Sequence, residues 1–371
     1  MKSTLQAAIA AALIAAPVMS AVADVKIYGS VQAEYSSEDL DGQVSEQGID
    51  DNALRSRIGF KATEKLGNGL TAIALLEFQA NPADSTANVD DGGLSDRQQF
   101  VGLKHEKWGF VALGTFKSPY RTTGEKLDPL NETNLQGIGA GAFSASNGAS
   151  DANFSDGSST LGHTGFVSSA IYYKSPTWNN LTLDVVFSPD EKFNGIKDNE
   201  VVQTSGDNDD YALSVSYNKG PLYAFLAFGE NSIGNGADES AIKIGGSFNM
   251  GAHTLSGQYE WIQEANALGL GAQNTNVNGV SDFSEITAGD DGEVWFLGYQ
   301  FKMGNNTFVA QYGQTESDSN AVNANDSEYF ALGMIHNFSK RTKLFAGYSE
   351  TDGDNNEADR EVFSVGLRKD F

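Results

Sequence analysis

The feature that most restricts what this chain can fold into is the alternation in length of the connections between its apolar-patterned segments. Short connections fall at Leu66 to Asn68, around Lys107, and at Ser175 to Asn179, Lys219 to Pro221, Met250 to Gly251, Met303 to Asn305 and Phe338 to Arg341. Between them lie long polar ones: Ser36 to Asp51, Asn81 to Leu94, Ser118 to Phe166, Ser188 to Asn208, Asn231 to Glu239, Glu264 to Asp291, Glu316 to Asp326 and Thr351 to Ala358. Tight turns on one rim and long loops on the other are what an up-and-down transmembrane β-barrel shows, and the segments add up to about sixteen strands, an even number.

The segments carry the period of a half-buried strand. Val25, Ile27, Val31 and Tyr35 share one face, with Lys26, Ser30, Gln32 and Glu34 on the other. Leu54, Ile58 and Phe60 stand opposite Arg55, Arg57 and Lys61 in a second strand expected over Leu54 to Ala62. A soluble β-sandwich also alternates. It does not explain the ordered loop lengths, strands long enough to cross lipid at a tilt, or the aromatic residues near strand ends. Those aromatics include Tyr28, Tyr35, Trp108, Tyr172, Tyr173, Trp178, Tyr259, Trp261 and Trp295. Tyr and Trp favour a membrane interface because the ring is apolar and its tip polar. In lipid every backbone donor and acceptor needs a partner, so the sheet must close, with the last strand against the first.

Residues 1–23 read as a secretory signal, with Lys2 as the positive start, Ala7 to Val18 as the apolar segment and Ala21-Val22-Ala23 as the cleavage site. One barrel domain, 24–371, is then expected to follow. No later stretch approaches the roughly twenty apolar residues of a spanning helix. An exported chain without cysteine is held together without disulfides and has no thiolate metal site. The formal net charge of −25 opposes binding to nucleic acid or to anionic headgroups.

With these residues assembled, the chain resembles the Gram-negative general, non-specific porins. The carriers are Val25 to Tyr35, Ser56 to Lys61 followed by Leu66-Gly67-Asn68-Gly69-Leu70, Arg97 to Leu103 with Gly109 to Gly114, the turn Phe338 to Thr342, and Val365 to Phe371. The resemblance implies a sixteen-stranded outer-membrane barrel, assembled as a homotrimer among outer-membrane lipid and lipopolysaccharide, with the third long loop, 118–166, folded inward as a constriction. It also implies that the terminal aromatic, Phe371, signals to the barrel-assembly machinery. Thr115 departs from the Arg that many relatives carry on the wall facing the loop, and His336 from a common Tyr.

A channel of this kind takes its field from opposed charged groups at its narrowest point. Arg55, Arg57, Lys61, Arg97 and Lys117 are expected on the inner wall, because a charge on the lipid face costs about 2 to 4 kcal/mol at the midplane. The alternative is that they balance lumen acids such as Glu34 and Glu77 away from the constriction. The loop offers Tyr120 and Arg121 at its start and the acids Glu125, Asp128, Glu132, Asp151 and Asp156. Glu125, Asp128 and Glu132 are expected to face the basic wall across the pore.

Other motifs carry little. Gly137-Ile138-Gly139-Ala140-Gly141 lacks the strand and helix that give a nucleotide loop meaning. The four histidines have no metal-ligand spacing, and the acidic runs Asp207 to Asp210 and Asp352 to Asn355 do not match a helix-flanked calcium loop. No cofactor is expected. The leading function is passive diffusion of ions and small hydrophilic solutes, without catalysis, and with cation preference from the excess of acid. A substrate-selective porin for an oligosaccharide or another nutrient would want a line of aromatics along the lumen. Most aromatics have outward or rim parity, with Trp108, Tyr120 and Phe143 as possible contributors. A barrel lipase or protease would want a nucleophile and base on adjacent strands near one rim, and no Ser and His pair offers itself. A structural or adhesive barrel would have a closed lumen.

Overall fold

The structure, a computed structural model, describes residues 24–40, 45–50, 56–80, 82, 94–137, 166–189, 209–232, 238–265, 290–317, 326–353 and 359–371. The expected signal 1–23, Arg55, Phe143, Asp151 and Asp156 lie outside them. The strands are β1 (Asp24–Leu40), β2 (Glu46–Asp50), β3 (Arg57–Gly67), β4 (Leu70–Ala80), β5 (Leu94–His105), β6 (Gly109–Lys117), β7 (Phe166–Lys174), β8 (Leu181–Ser188) and β9 (Asp210–Lys219). They continue as β10 (Leu222–Ser232), β11 (Asp238–Met250), β12 (His253–Ala265), β13 (Asp290–Met303), β14 (Asn306–Ser317), β15 (Ser327–Ser339), β16 (Thr342–Gly353) and β17 (Arg360–Asp370). One short helix, α1 (Pro119–Gly124), follows β6.

Every pairing is antiparallel, and β17 returns to β1 in register from Ser30↔Asp370 to Leu40↔Arg360. The sheet is therefore closed. Phe371 extends the seam, its N–H donating to the Gly29 carbonyl at 3.0 Å and its carbonyl accepting from Gly29 N–H at 3.3 Å. Among the described residues seventeen strands fill sixteen places, because one edge of β1 pairs with β3 over Asp24–Ser30 and with β2 over Glu34–Glu38. Ser56 bridges the break between them: its hydroxyl accepts from Gln32 N–H at 3.0 Å and donates to Gln32 O at 3.1 Å. The second long strand accordingly runs on to Gly67, past the Ala62 expected from alternation.

Local chemistry sets the tight rim. Gly67, Asn68 and Gly69 all have positive φ, which two glycines and an asparagine tolerate at low cost. Gly109 has φ +91°, and a Cβ there would lie 2.1 Å from the Lys174 carbonyl oxygen.

The two faces of the wall are chemically inverted relative to a soluble protein. On β1, Val31 and Tyr35 are exposed while Ser30, Gln32 and Glu34 are buried; on β11, exposed Ile242 and Ile244 flank fully buried Lys243. An apolar exterior and a polar interior suit lipid outside and water inside, and they exclude the sandwich. Trp108, Trp178 and Phe338 are exposed at the short-turn rim. Tyr28 and Tyr172 depart from the expected rim position and point inward. Tyr28 donates to Glu77 at 2.8 Å, and Tyr172 donates to Asp184. Each shares parity with polar neighbours, Ser30 and Lys174, so its hydroxyl meets an inner-wall carboxylate.

The apolar core sits where the third long loop crosses the barrel. Leu127, Leu130 and Leu135 are fully buried and belong to one cluster with Tyr120, Phe296, Tyr329 and Phe345. Wall glycines make the room. A Cβ on Gly333 would stand 3.2 Å from the Leu130 methyls, and one on Gly347 would stand 2.7 Å from a Leu135 methyl.

Candidate functional site

The loop leaves β6 through α1. The Ser118 hydroxyl caps the helix by accepting from Arg121 N–H at 3.1 Å, and Pro119 supplies a preset φ at its first turn. From there residues 118–137 run inside the barrel, fastened on several sides. Tyr120 donates to Glu260 on β12 at 2.7 Å, with the Lys243 ammonium 4.1 Å from its ring centre. Tyr223 on β10 donates to the Thr123 carbonyl at 3.3 Å and Ser256 on β12 to Leu127 at 3.0 Å. Tyr329 on β15 donates to Leu135 at 2.5 Å. Gln32 on β1 donates to the Glu132 carbonyl at 2.7 Å, and Glu34 accepts from Asn134 N–H at 3.1 Å and from Ser364 on β17 at 2.8 Å.

Against β3 to β6 the loop meets a lattice of charges. Arg57 donates to both carboxylate oxygens of Glu132 at 2.6 Å, and Lys117 and Arg97 approach the same carboxylate to 3.5 and 3.7 Å. Lys117 also pairs with Glu125 at 2.9 Å, and Arg121 pairs with it at 2.5 Å. Behind these, Glu77 binds Arg97 at 2.9 Å and lies 3.8 Å from Arg57. Phe166, the first residue of β7, is held under two guanidinium groups, with Arg97 at 5.1 Å and Arg121 at 5.3 Å from its ring centre. Burial alone would raise the Glu125 carboxyl, but the charges of Arg121 and Lys117 outweigh it and hold the group at about 2. Side-chain exposures of 12% for Arg57 and Lys117 and 14% for Glu125 give the lattice a wetted edge.

This geometry revises several expectations from sequence. Glu125 and Glu132 touch the basic wall directly instead of facing it across open water. Asp128 does not face that wall: it accepts from Leu130 N–H at 2.7 Å and Gly137 N–H at 2.9 Å, and from Gln311 on β14. As a short carboxylate it serves its own turn and ties it to β14. Lys61 is exposed and in register with Lys26, down the wall towards the tight rim, so it stands outside the lattice. Arg121 joins the wall cations, and Tyr120 is buried in the loop's core. Of the acids weighed as remote from the constriction, Glu34 contacts the loop through Asn134, and Glu77 stands behind Arg57 and Arg97 on the wall. Sequence reasoning passed over Lys243, Glu260 and Phe166. A charge flanked by lipid-facing apolar residues, as in Ile242-Lys243-Ile244 and Tyr259-Glu260-Trp261, was the available signal for the first two.

Comparison with known proteins agrees with this architecture. The Gram-negative porin family matches residues 7–356. The major outer membrane protein P.IB of Neisseria gonorrhoeae is 28% identical over 350 residues, covering 90% of each chain. Among solved structures, an anion-selective porin from Comamonas acidovorans superposes with a TM-score of 0.71 at 22% identity, over 94% of this chain and 100% of its own. A trimer form of Vibrio cholerae OmpT superposes with a TM-score of 0.61 at 15% identity, over 94% and 100%. The chain belongs to the Gram-negative porin family, and its closed, inwardly polar barrel is an outer-membrane channel.

Proposed function

We propose that this channel is a general diffusion porin, working as a homotrimer and passing ions and small hydrophilic solutes passively, with a modest preference for cations. The observation that carries the reading is the wetted lattice of Arg57, Arg97, Lys117 and Arg121 against Glu77, Glu125 and Glu132. Opposed charges held beside water orient dipolar solutes and penalise apolar ones, which cannot replace ordered water. Because acids and bases nearly balance there, neither sign dominates, and ion choice passes to the mouths. The formal net charge of −25 supports cations there. The Comamonas neighbour is described as anion-selective, so the sign is the point to test. Reversal potentials of the reconstituted channel in a KCl gradient should favour K⁺ modestly, and a clear anion preference would mean that the wall cations prevail. The trimer form of the Vibrio neighbour supports threefold assembly, which crosslinking in detergent should capture.

A second reading, a substrate-selective porin, is favoured by one observation: four aromatic rings lie on the inner face of β5 to β7. Concentration-dependent block of the current by an added solute would support it.

A further inference from the structure

The four rings form a continuous path. Phe116 stacks on Phe100 (5.1 Å between centroids) and on Tyr172 (5.1 Å), and Phe110 meets Phe100 and Tyr172 edge-on at 5.8 and 6.1 Å. Parity places them inside the barrel, since the intervening Val101, Val111, Leu113 and Ile171 are the exposed, lipid-facing residues. Phe116 is buried at the base of the constriction loop, whereas Phe100, Phe110 and Tyr172 keep part of their surface open. Gly102 is the cradle for the lowest ring: a Cβ there would come 2.8 Å from the Phe110 ring. At the tight rim, Phe110 is in register with Lys104 on one neighbouring strand and Lys174 on the other. Directly paired residues on one face stand about 5 Å apart at Cβ, so an exposed ammonium flanks the ring on each side. Lys174 leans on Asp184 at 2.7 Å yet keeps 49% of its side chain exposed.

Phe116 serves the buried cluster, but Phe100, Phe110 and Tyr172 keep ring surface open inside a water-filled bore, which burial alone does not account for. Together they offer open π-surface that ends beside two cations, Lys104 and Lys174, a combination that matches a solute carrying a planar unsaturated ring and one negative charge. We propose that the inner face of β5 to β7 is a binding track for small aromatic carboxylates, along which they descend from the constriction to the periplasmic mouth. The ring meets the open surfaces of Phe100 and Tyr172, on either side of buried Phe116, and the carboxylate is passed to Lys104 and Lys174 beside Phe110. This rests on the channel reading above and gives it a solute class. The track is local, and it sits within a chain of net negative charge.

The test is single-channel recording of the native trimer in 0.15 M KCl, a condition chosen so that the Debye length is about 8 Å. Benzoate, cyclohexanecarboxylate and acetate are added in turn on either side. Benzoate is expected to produce current noise and partial block at concentrations several-fold below those of cyclohexanecarboxylate, and acetate none. Loss of ring contacts in F110L/Y172L, with each current normalised to that variant's own KCl conductance, is expected to weaken benzoate block about threefold to tenfold. K104Q/K174Q should weaken block by benzoate while leaving benzyl alcohol unaffected. Equal block by benzoate and cyclohexanecarboxylate, or benzoate block that survives F110L/Y172L, overturns the track while leaving the porin reading intact. A native protein that carries no KCl current overturns both.

Discussion

Glu132 is the most connected acid of the lattice, and neutralising it is the sharpest perturbation available. Glu132→Gln keeps the side-chain shape and removes one negative charge 2.6 Å from Arg57, 3.5 Å from Lys117 and 3.7 Å from Arg97. An ion passing some 5 to 6 Å from that point feels a change of about 0.7 kcal/mol at the dielectric of water, reduced to about 0.4 kcal/mol by 0.1 M salt. The effect is opposite for K⁺ and Cl⁻, so their permeability ratio should fall about fourfold, which a tenfold KCl gradient reports as a shift of roughly 30 mV towards the chloride potential. Arg57→Gln should shift it the other way by a similar amount. The double variant should return close to the native value, since the pair then leaves no net charge. The assay is the reversal potential of reconstituted protein at several salt concentrations, with the shift shrinking as salt rises. A Glu132→Gln channel whose reversal potential is unchanged at low salt would refute the placement of this carboxylate at the ion path. A shift towards cations would refute the electrostatic reasoning itself.

Four further outcomes follow from the same contacts. Glu125 has its folded-state value depressed to about 2, so its pairing stabilises the loop fully above the ordinary carboxylate range near about 4.3 and loses that contribution as pH falls towards 2; current noise from loop motion should stay flat from pH 7 to about 4 and rise only below it. Gly333→Val puts methyls where Leu130 now packs, an overpacking that costs about 1 to 3 kcal/mol, and trypsin should then cut after Lys126 faster than in the native protein. Leu113→Lys places a charge on the lipid face and should reduce stability in urea by about 2 to 4 kcal/mol, whereas a soluble fold would barely notice an exposed lysine there. Deleting Phe371 removes both backbone bonds to Gly29, and the fraction of heat-modifiable, folded protein in the outer membrane should drop; an unchanged fraction would leave the seam residue without an assembly role.

How much of this was legible depended on whether the information was periodic or spatial. The barrel, its closure and the tight turns were readable because lipid and water enforce a period of two and glycine-rich turns recur at fixed intervals, as at Gly67 to Gly69. Arg97 shows where that logic strains. Counting from outward-facing Val101, strict alternation would turn Arg97 outward as well. The register instead slips between Leu76↔Gln99 and Phe78↔Asp96, and this β-bulge re-aims the side chain. The rule that charges avoid lipid gave the right face where parity alone would not. Tyr28 and Tyr172 were misplaced for the opposite reason, since an aromatic residue near a strand end satisfies the interface pattern whichever way it faces. Asp128 could not be told from Glu125 and Glu132 because loop acids have no period, and their partners depend on how the backbone turns.

Glu34 joins two events that the chain could otherwise complete separately. It accepts from Ser364, 330 positions away, only where the first and last strands have met, and from the Asn134 amide only where the loop is seated. A half-zipped sheet therefore offers the loop an incomplete berth, one that lacks its seam side. An unfinished barrel would then hold its filter by fewer ties, and this carboxylate is one place where the two steps meet.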